Sequence, residues 1–408
     1  SQIWYGVGSA NEHSGITGLS HVLEHMMFKG TPDHPAESFS AIIAENGGHE
    51  NAFTSRDYTG YYQLLEKSRL QISFELESDR MRNLSLPEEE FHKELEVVKE
   101  ERRLRTDDSP EALSYEQLFA TAFNNGPYRN PVIGWMEDLN GMRIEDLRRW
   151  YNNWYAPNNA ILVVVGDVEP EQIYRLAQQY YGGIEAPPPT VGKPRREPVQ
   201  RGMRRVVVKA PAELPYLLAG YKVPVLGRAQ TDWEPYALEV LTAILDGGRS
   251  SRFSKKLVRE QELAASAGAG YSIYGRYDGL LIIDGVPAQG HTIEELEQAL
   301  NVELDRLREQ QVSVSELKRV KAQVVAQEVY SRDSISRQAS LIGRVQSIGL
   351  GWKVLDDYVD AIQAVTAEQI QLVARKFLID DQKTVVILEP LPIHSPNDTV
   401  LADQASES

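Results

Sequence analysis

The sequence predicts an α+β protein of two homologous α/β domains, each a mostly antiparallel sheet packed with helices, related by internal duplication. Three observations carry this. Short apolar and aromatic runs of strand length alternate with helical periodicity along 408 residues, a length for about two ordinary domains. A proline-rich basic stretch, "IEAPPPTVGKPRREPVQR" (184–201), interrupts the pattern and reads as an extended linker. After it the order of elements restarts. "ENAFTSRDYTGYYQLL" has a counterpart in "GAGYSIYGRYDGLLII", and "EDLRRWYNNWYAPNNAILVVVGDV" in "EQIQLVARKFLIDDQKTVVILEP". The expected division is a first domain over 1–183, the linker, a second domain over 202–392, and a polar, disordered tail over 393–408.

The first strand runs from Ile3 to Val7. A helix is expected from Thr17, a residue able to cap it, through "GLSHVLEHMMF". A second helix, "AESFSAIIAENG", ends at Gly47-Gly48, and "HENAFTSRDYTGYYQLLE" supplies two strands. Helical patterns follow over about 69–106, broken at Pro87, then over about Pro110–Phe123 and in "RIEDLRRWYNNWY". "NNAILVVVGDV" is a buried strand and "EPEQIYRLAQQYYG" a helix. In the second half "RRVVVKAP", "PYLLAGYKVP" and "KTVVILEP" are strands. "WEPYALEVLTAILDGG", "SRFSKKLVREQE", "IEELEQALNVELDRLRE", "VSELKRVKAQVVAQEVY" and "VTAEQIQLVARKFL" are helices.

The formal net charge of −16 argues against nucleic acid as a partner, because such binders present a basic face. No apolar run reaches the ~20 residues that a membrane span needs. The chain has no cysteine, so thiolate ligands, cysteine nucleophiles and disulfides are excluded. It opens without Met inside a strand-like run, and a segment upstream is expected.

One helix carries chemistry. In "HVLEH" (21–25), His21, Glu24 and His25 share an arc of about 100° on one helix face. The two imidazoles, one turn apart, suit one cation, and Glu24 beside them could take a proton from water. Aligning Gly30 with Gly247 sets Leu238, Leu241 and Thr242 against the trio. The second copy therefore keeps the helix without the polar residues, and their presence in the first wants another reason. A catalytic zinc needs a third ligand and an open position. In "KELEVVKEERRLR", Glu94 and Glu101 lie two turns apart on one face. Glu101 could complete the set, and Glu94 could orient a ligand. Taken alone, such an acidic run is most often a solvated helix face.

"GLSHVLEHMMFKGT", "ENGGHENAFTSRDYTGYY" and "EVVKEERRLRTDDSP" together resemble the pitrilysin-like, inverted-zincin peptidases, whose motif is H-x-x-E-H. The family includes the mitochondrial processing peptidase. The resemblance extends to "NPVIGW" and "WYAPNNAILVVVGDV", and the short bacterial two-domain subunit is the nearest type. It implies one zinc per chain, held by His21, His25 and Glu101, in a catalytic first domain. It implies Glu24 as general base, Glu94 as the auxiliary acid, and Asn51, Ala52, Phe53 and Thr54 as an edge strand that pairs with extended substrate. The implied activity is zinc-dependent hydrolysis of peptides or unfolded segments. The alternative is a non-catalytic or weakly active subunit of a processing complex.

One departure bears on partners. Active members carry an Arg and, seven residues on, a Tyr in the second domain that assist substrate binding. Here "LVREQELAASAG" supplies Arg259, but Ala265 or Ser266 stands in the place of the Tyr. The expectation is a heterodimer with a homologous subunit that supplies both residues, a homodimer being the alternative. A bacterial periplasmic location is expected from the family type, with the cytoplasm as alternative.

Overall fold

The computed structural model describes residues 1–188, 190 and 195–393. The expected tail lies outside these residues, apart from position 393.

The first half runs β1 (Gln2–Tyr5), α1 (Leu19–Met26), α2 (Ser38–Glu45), β2 (His49–Thr54), β3 (Thr59–Leu64), α3 (Leu70–Asn83), α4 (Glu88–Arg102), α5 (Pro110–Ala122), α6 (Met136–Gly141), α7 (Ile144–Trp154), β4 (Ala160–Val163) and α8 (Pro170–Tyr181). A π-helical turn, Arg103–Asp107, extends α4. The second half runs β5 (Arg204–Pro211), β6 (Tyr216–Val223), α9 (Trp233–Asp246), β7 (Ala264–Gly270), β8 (Gly279–Pro287), α10 (Ile293–Glu309), α11 (Val314–Ser331), α12 (Ile335–Ser347), α13 (Val354–Ala364), α14 (Ala367–Phe377) and β9 (Lys383–Leu391). The segment expected as a helix at Phe253–Glu260 is π-helical.

The duplication is visible in the sheets. The first has the order β2-β3-β1-β4, wholly antiparallel. The second reads β7-β8-β6-β9, the same order, with β5 added parallel to β9. Within 184–201, the described residues belong to no helix or strand. Arg195 and Glu197 nevertheless pin this stretch. Arg195 donates to the Glu12 carbonyl (2.9 Å), and Glu197 accepts from the amides of Asn124, Asn125 and Gly126 and from Lys222 (2.6 Å).

Each half lends a helix to the other's sheet. From α5, Leu118, Phe119 and Ala122 pack with Leu218, Leu280 and Val386 of the second sheet. From α12, Ala339 packs with Trp4 and Val163 of the first. Gly343 is required there, since a Cβ would stand 2.1 Å from the Trp4 ring. The free faces of both sheets are thus covered by apolar burial drawn from across the linker, which holds the halves together.

Candidate metal centre

The polar trio reaches the surface of a groove because α1 is anchored at its start. α1 begins after Gly18, whose φ of 86° lies in the left-handed region and whose missing Cβ would meet the Ile133 carbonyl at 2.6 Å. Thr17 was expected to cap this helix, but its hydroxyl donates to Asp138 (2.5 Å) and accepts from the Trp135 amide (3.0 Å). The cap is Glu12, whose carboxylate accepts from the amides of Gly18 and Ser20, both at 2.8 Å. A negative charge at a helix start is favourable, yet burial pushes the Glu12 carboxyl up to about 7 against the pull of those amides.

The opposing helix is fixed by Arg102, one residue past Glu101. Its guanidinium donates to both Glu116 oxygens (2.8 and 3.1 Å) and to the Gly134 carbonyl (2.8 Å). Gly134 lies against Gly18, where a Cβ would meet the Thr17 carbonyl at 2.5 Å. One loop therefore ties the start of α1 to the end of α4, and so fixes His21 relative to Glu101.

Across that gap, Glu101 Oε2 lies 3.6 Å from His21 Nε2 and 3.5 Å from His25 Nε2. One donor atom from each of the three residues falls within a 4.8 Å span. Ligands bound to zinc at about 2.0–2.1 Å with tetrahedral angles lie about 3.3–3.5 Å apart, so the spacing fits that ion. The donor types, two imidazoles and a carboxylate, fit it as well. Burial, then the nearby His25 and Arg105, push His21 down to about 3, which keeps it neutral as a ligand must be. His25 is oriented by Glu94, whose Oε2 lies 3.0 Å from Nδ1 while its other oxygen takes Lys29 at 2.6 Å. His21 Nδ1 is buried and has no partner among the described residues. Glu101 also meets Arg105 at 2.7 Å.

Glu24 stands beside the three donors, and the Thr54 hydroxyl donates to its Oε2. Burial raises its pKa against that hydrogen bond, a direction that suits a proton acceptor working near neutrality. Thr54 closes β2, which among the described residues is an edge strand bonded to β3 alone. The Ser55 amide bonds the Tyr58 carbonyl at 2.8 Å. By the alternation of an antiparallel ladder, Ala52 and Thr54 then turn their backbone groups to the open edge. The Ala52 amide donates there to the Asn51 side-chain oxygen (2.8 Å). The Phe53 ring packs edge-on to Trp4 (4.9 Å) and over Gly60, where a Cβ would come within 2.4 Å of it.

These side chains line one groove of about 800 Å³, which holds His21, Glu24, His25, Glu101 and Asn51 to Thr54. Arg259 is not among its lining residues; it is exposed and donates to the carbonyls of Ser254 (3.3 Å) and Arg249 in its own segment. The register of β7 shifts between Ala264 and Ser266, the stretch where the Tyr was sought. Glu12, Arg102 and Asp138 escaped the sequence reading, because an acid in a loop and a helix-end arginine carry no spacing signature.

Residues 1–135 match the family model described as insulinase (peptidase family M16), and residues 142–324 the one described as peptidase M16 inactive domain. The chain is 32% identical over 398 residues to the zinc protease PqqE of Helicobacter pylori, covering 95% of this chain and 87% of that one. It belongs to peptidase family M16. The crystal structure of a protease from Helicobacter pylori superposes with a TM-score of 0.90 at 30% identity, over 95% of this chain and 93% of that one. The periplasmic protease PqqL of Escherichia coli shares the fold (TM-score 0.80, 18% identity), with 99% of this chain matching 47% of that one. M16 membership supports a peptidase role, and the relatives' names imply zinc. Among the described residues, no helix is long and apolar enough to cross a membrane.

Proposed function

We propose that this chain is a zinc-dependent endopeptidase acting on peptides or unfolded segments, with one zinc held by His21, His25 and Glu101. The carrying observation is the triangle of His21, His25 and Glu101, with Glu24 beside it. A zinc ion there would supply Lewis acidity toward a carbonyl and toward water. Glu24 takes the proton of the attacking water as its oxygen bonds to the scissile carbonyl carbon. It then delivers that proton to the departing amine nitrogen as the C–N bond breaks. Thr54 holds the carboxylate in place, and Glu94 holds His25. The open edge at Ala52 and Thr54 offers a substrate backbone its hydrogen bonds. The domain division at 184–201 remains our reading, with the catalytic residues in the first part.

Zinc content together with cleavage of a quenched peptide tests this. One zinc and turnover are expected, and both are lost in Glu101→Gln. Full zinc in that variant would move the third ligand to another acid, Glu94 first. Zinc without turnover in the wild type would favour the idle-subunit reading.

The state of Arg259 favours one refinement. With Arg259 turned to its own carbonyls and no Tyr following it, we propose a heterodimer in which a homologous subunit lends both residues to this groove. Full turnover by the isolated chain, unchanged by any homologous subunit, would refute the heterodimer and leave the homodimer. We also propose the bacterial periplasm as its compartment, on the family type, and cell fractionation decides it against the cytoplasm.

A further inference from the structure

The metal groove and the whole chain differ in charge. The chain carries a net −16, which taken alone would suit cationic substrates. The carboxylates lining the groove are already engaged. Glu24 accepts from Thr54, Glu101 faces the imidazoles and Arg105, and Glu116 is held by Arg102. The groove's arginines are less fully matched. Arg105 shares Glu101, whereas Arg129 is exposed and has no ion pair among the described residues.

Arg56 is the informative one. Its guanidinium lies 3.9 Å over the Phe119 ring, and its buried Nε has no acceptor among the described residues. No carboxylate among the described residues pairs with it. The adjacent Asp57 turns Oδ2 to the Tyr128 hydroxyl and to the Arg276 amide (3.1 Å). Burial pulls the guanidinium below its usual pKa, against the opposing pull of the Tyr115 and Tyr128 hydroxyls and of Asp57. Arg56 is half-buried, and a charge partly withdrawn from water gains from a carboxylate partner. Arg56 also stands at a junction. It lines both the metal groove and an adjoining cavity of about 590 Å³ between the two halves. A peptide laid along β2 passes Thr54 and meets Arg56 two residues on.

We propose that the groove selects substrates carrying an acidic side chain, whose carboxylate Arg56 receives at the mouth of the cavity between the halves. The inference rests on the peptidase reading above and names its substrate class. Arg56 is the specificity-determining residue, and Arg129 adds positive charge along the approach. The local cations, and not the total charge, then set what enters.

The test is a panel of quenched peptides on one neutral scaffold, with Glu, Gln or Lys placed in turn at each position around the scissile bond. With the zinc-loaded full chain, Glu at one position should raise kcat/KM about tenfold or more over Gln, the scale of a charge-assisted hydrogen bond. Lys there should lower it. Arg56→Met should bring the Glu-to-Gln ratio close to one, and Arg56→Lys should retain part of it. Equal rates for Glu and Gln at every position in the wild type would overturn the proposal, whatever the variants do. So would an unchanged ratio in Arg56→Met. If no peptide is cut, the same panel is labelled and its binding read by anisotropy. Acid-selective binding that Arg56→Met removes would then sustain this inference while the peptidase reading falls. Binding without acid preference would overturn it.

Discussion

α1 and α9 hold corresponding places, each against the edge strand of a sheet with the same strand order, yet their matched faces differ. On α9, Leu238 and Leu241 are fully buried and Thr242 nearly so, beneath α11, α13 and α14. On α1 the matched positions are His21, Glu24 and His25, all half-buried at the groove. A buried leucine contributes roughly 1.5–3 kcal/mol. The first half gives up that burial and holds α1 by other means: the Glu12 cap, the Gly18–Gly134 contact and the Arg102 brace. The helix scaffold is stable with either face, so the polar face reflects chemistry and not folding.

The largest expected effect breaks that contrast at its centre. Glu24→Gln keeps the shape and the Thr54 contact but cannot accept a proton. Turnover should fall on the order of 10²–10⁴ with zinc content unchanged. Near-normal turnover with zinc bound would remove Glu24 from the role of base.

Next in size is Glu94→Ala, which frees His25 Nδ1 and leaves Lys29 without its 2.6 Å partner. Loss of such an orienting group costs about 10–100-fold in metal affinity. A zinc competition titration measures it, and an unchanged affinity would make Glu94 a surface acid.

How much of this was legible in the sequence varies with the range of the interaction. His21, Glu24 and His25 lie within one turn and a half of one helix, and the spacing of Glu94 and Glu101 follows from one more. Helical periodicity shows such groups directly. β2 and β3 were legible from their Thr, Tyr and Phe content. Periodicity tells which face of a helix is buried but not against what. The exchange of α5 and α12 between the sheets was therefore invisible, and α12 was not singled out at all. Thr17 had the composition of a cap, yet Glu12 is brought to α1 by chain geometry that no local pattern encodes. Arg56 was not singled out in the sequence, because the state of its guanidinium is a property of the packed site.

A smaller effect is expected at the substrate edge. Thr54→Pro removes an amide that faces the open edge and not β3, so the sheet should tolerate it. Thr54→Val is the companion, because it removes only the hydroxyl that holds Glu24. Proline should lower kcat/KM about 5–10-fold beyond valine, the scale of one backbone hydrogen bond near 1 kcal/mol. Equal constants for the two variants would mean that this amide does not hold substrate.

The smallest effect, expected at Thr242, sharpens the comparison most directly when the same change is made at the matched position of the first half. His25→Val and Thr242→Val each put the same apolar side chain on the corresponding turn of α1 and α9. The Thr242 hydroxyl only donates to the Leu238 carbonyl of its own helix (2.8 Å), a group already bonded within the helix. Valine has nearly the shape of threonine and fits a 9% exposed site among apolar neighbours. Its cost in urea denaturation should stay within about 1 kcal/mol, with zinc content and turnover unchanged. His25→Val should lose the zinc and the turnover with a comparably small change in the stability of the metal-free chain, since the imidazole sits at a groove and not in a core. A Thr242→Val variant that lost zinc or activity would show that the second half takes part in the metal site, and the division of labour between the two helices would fail.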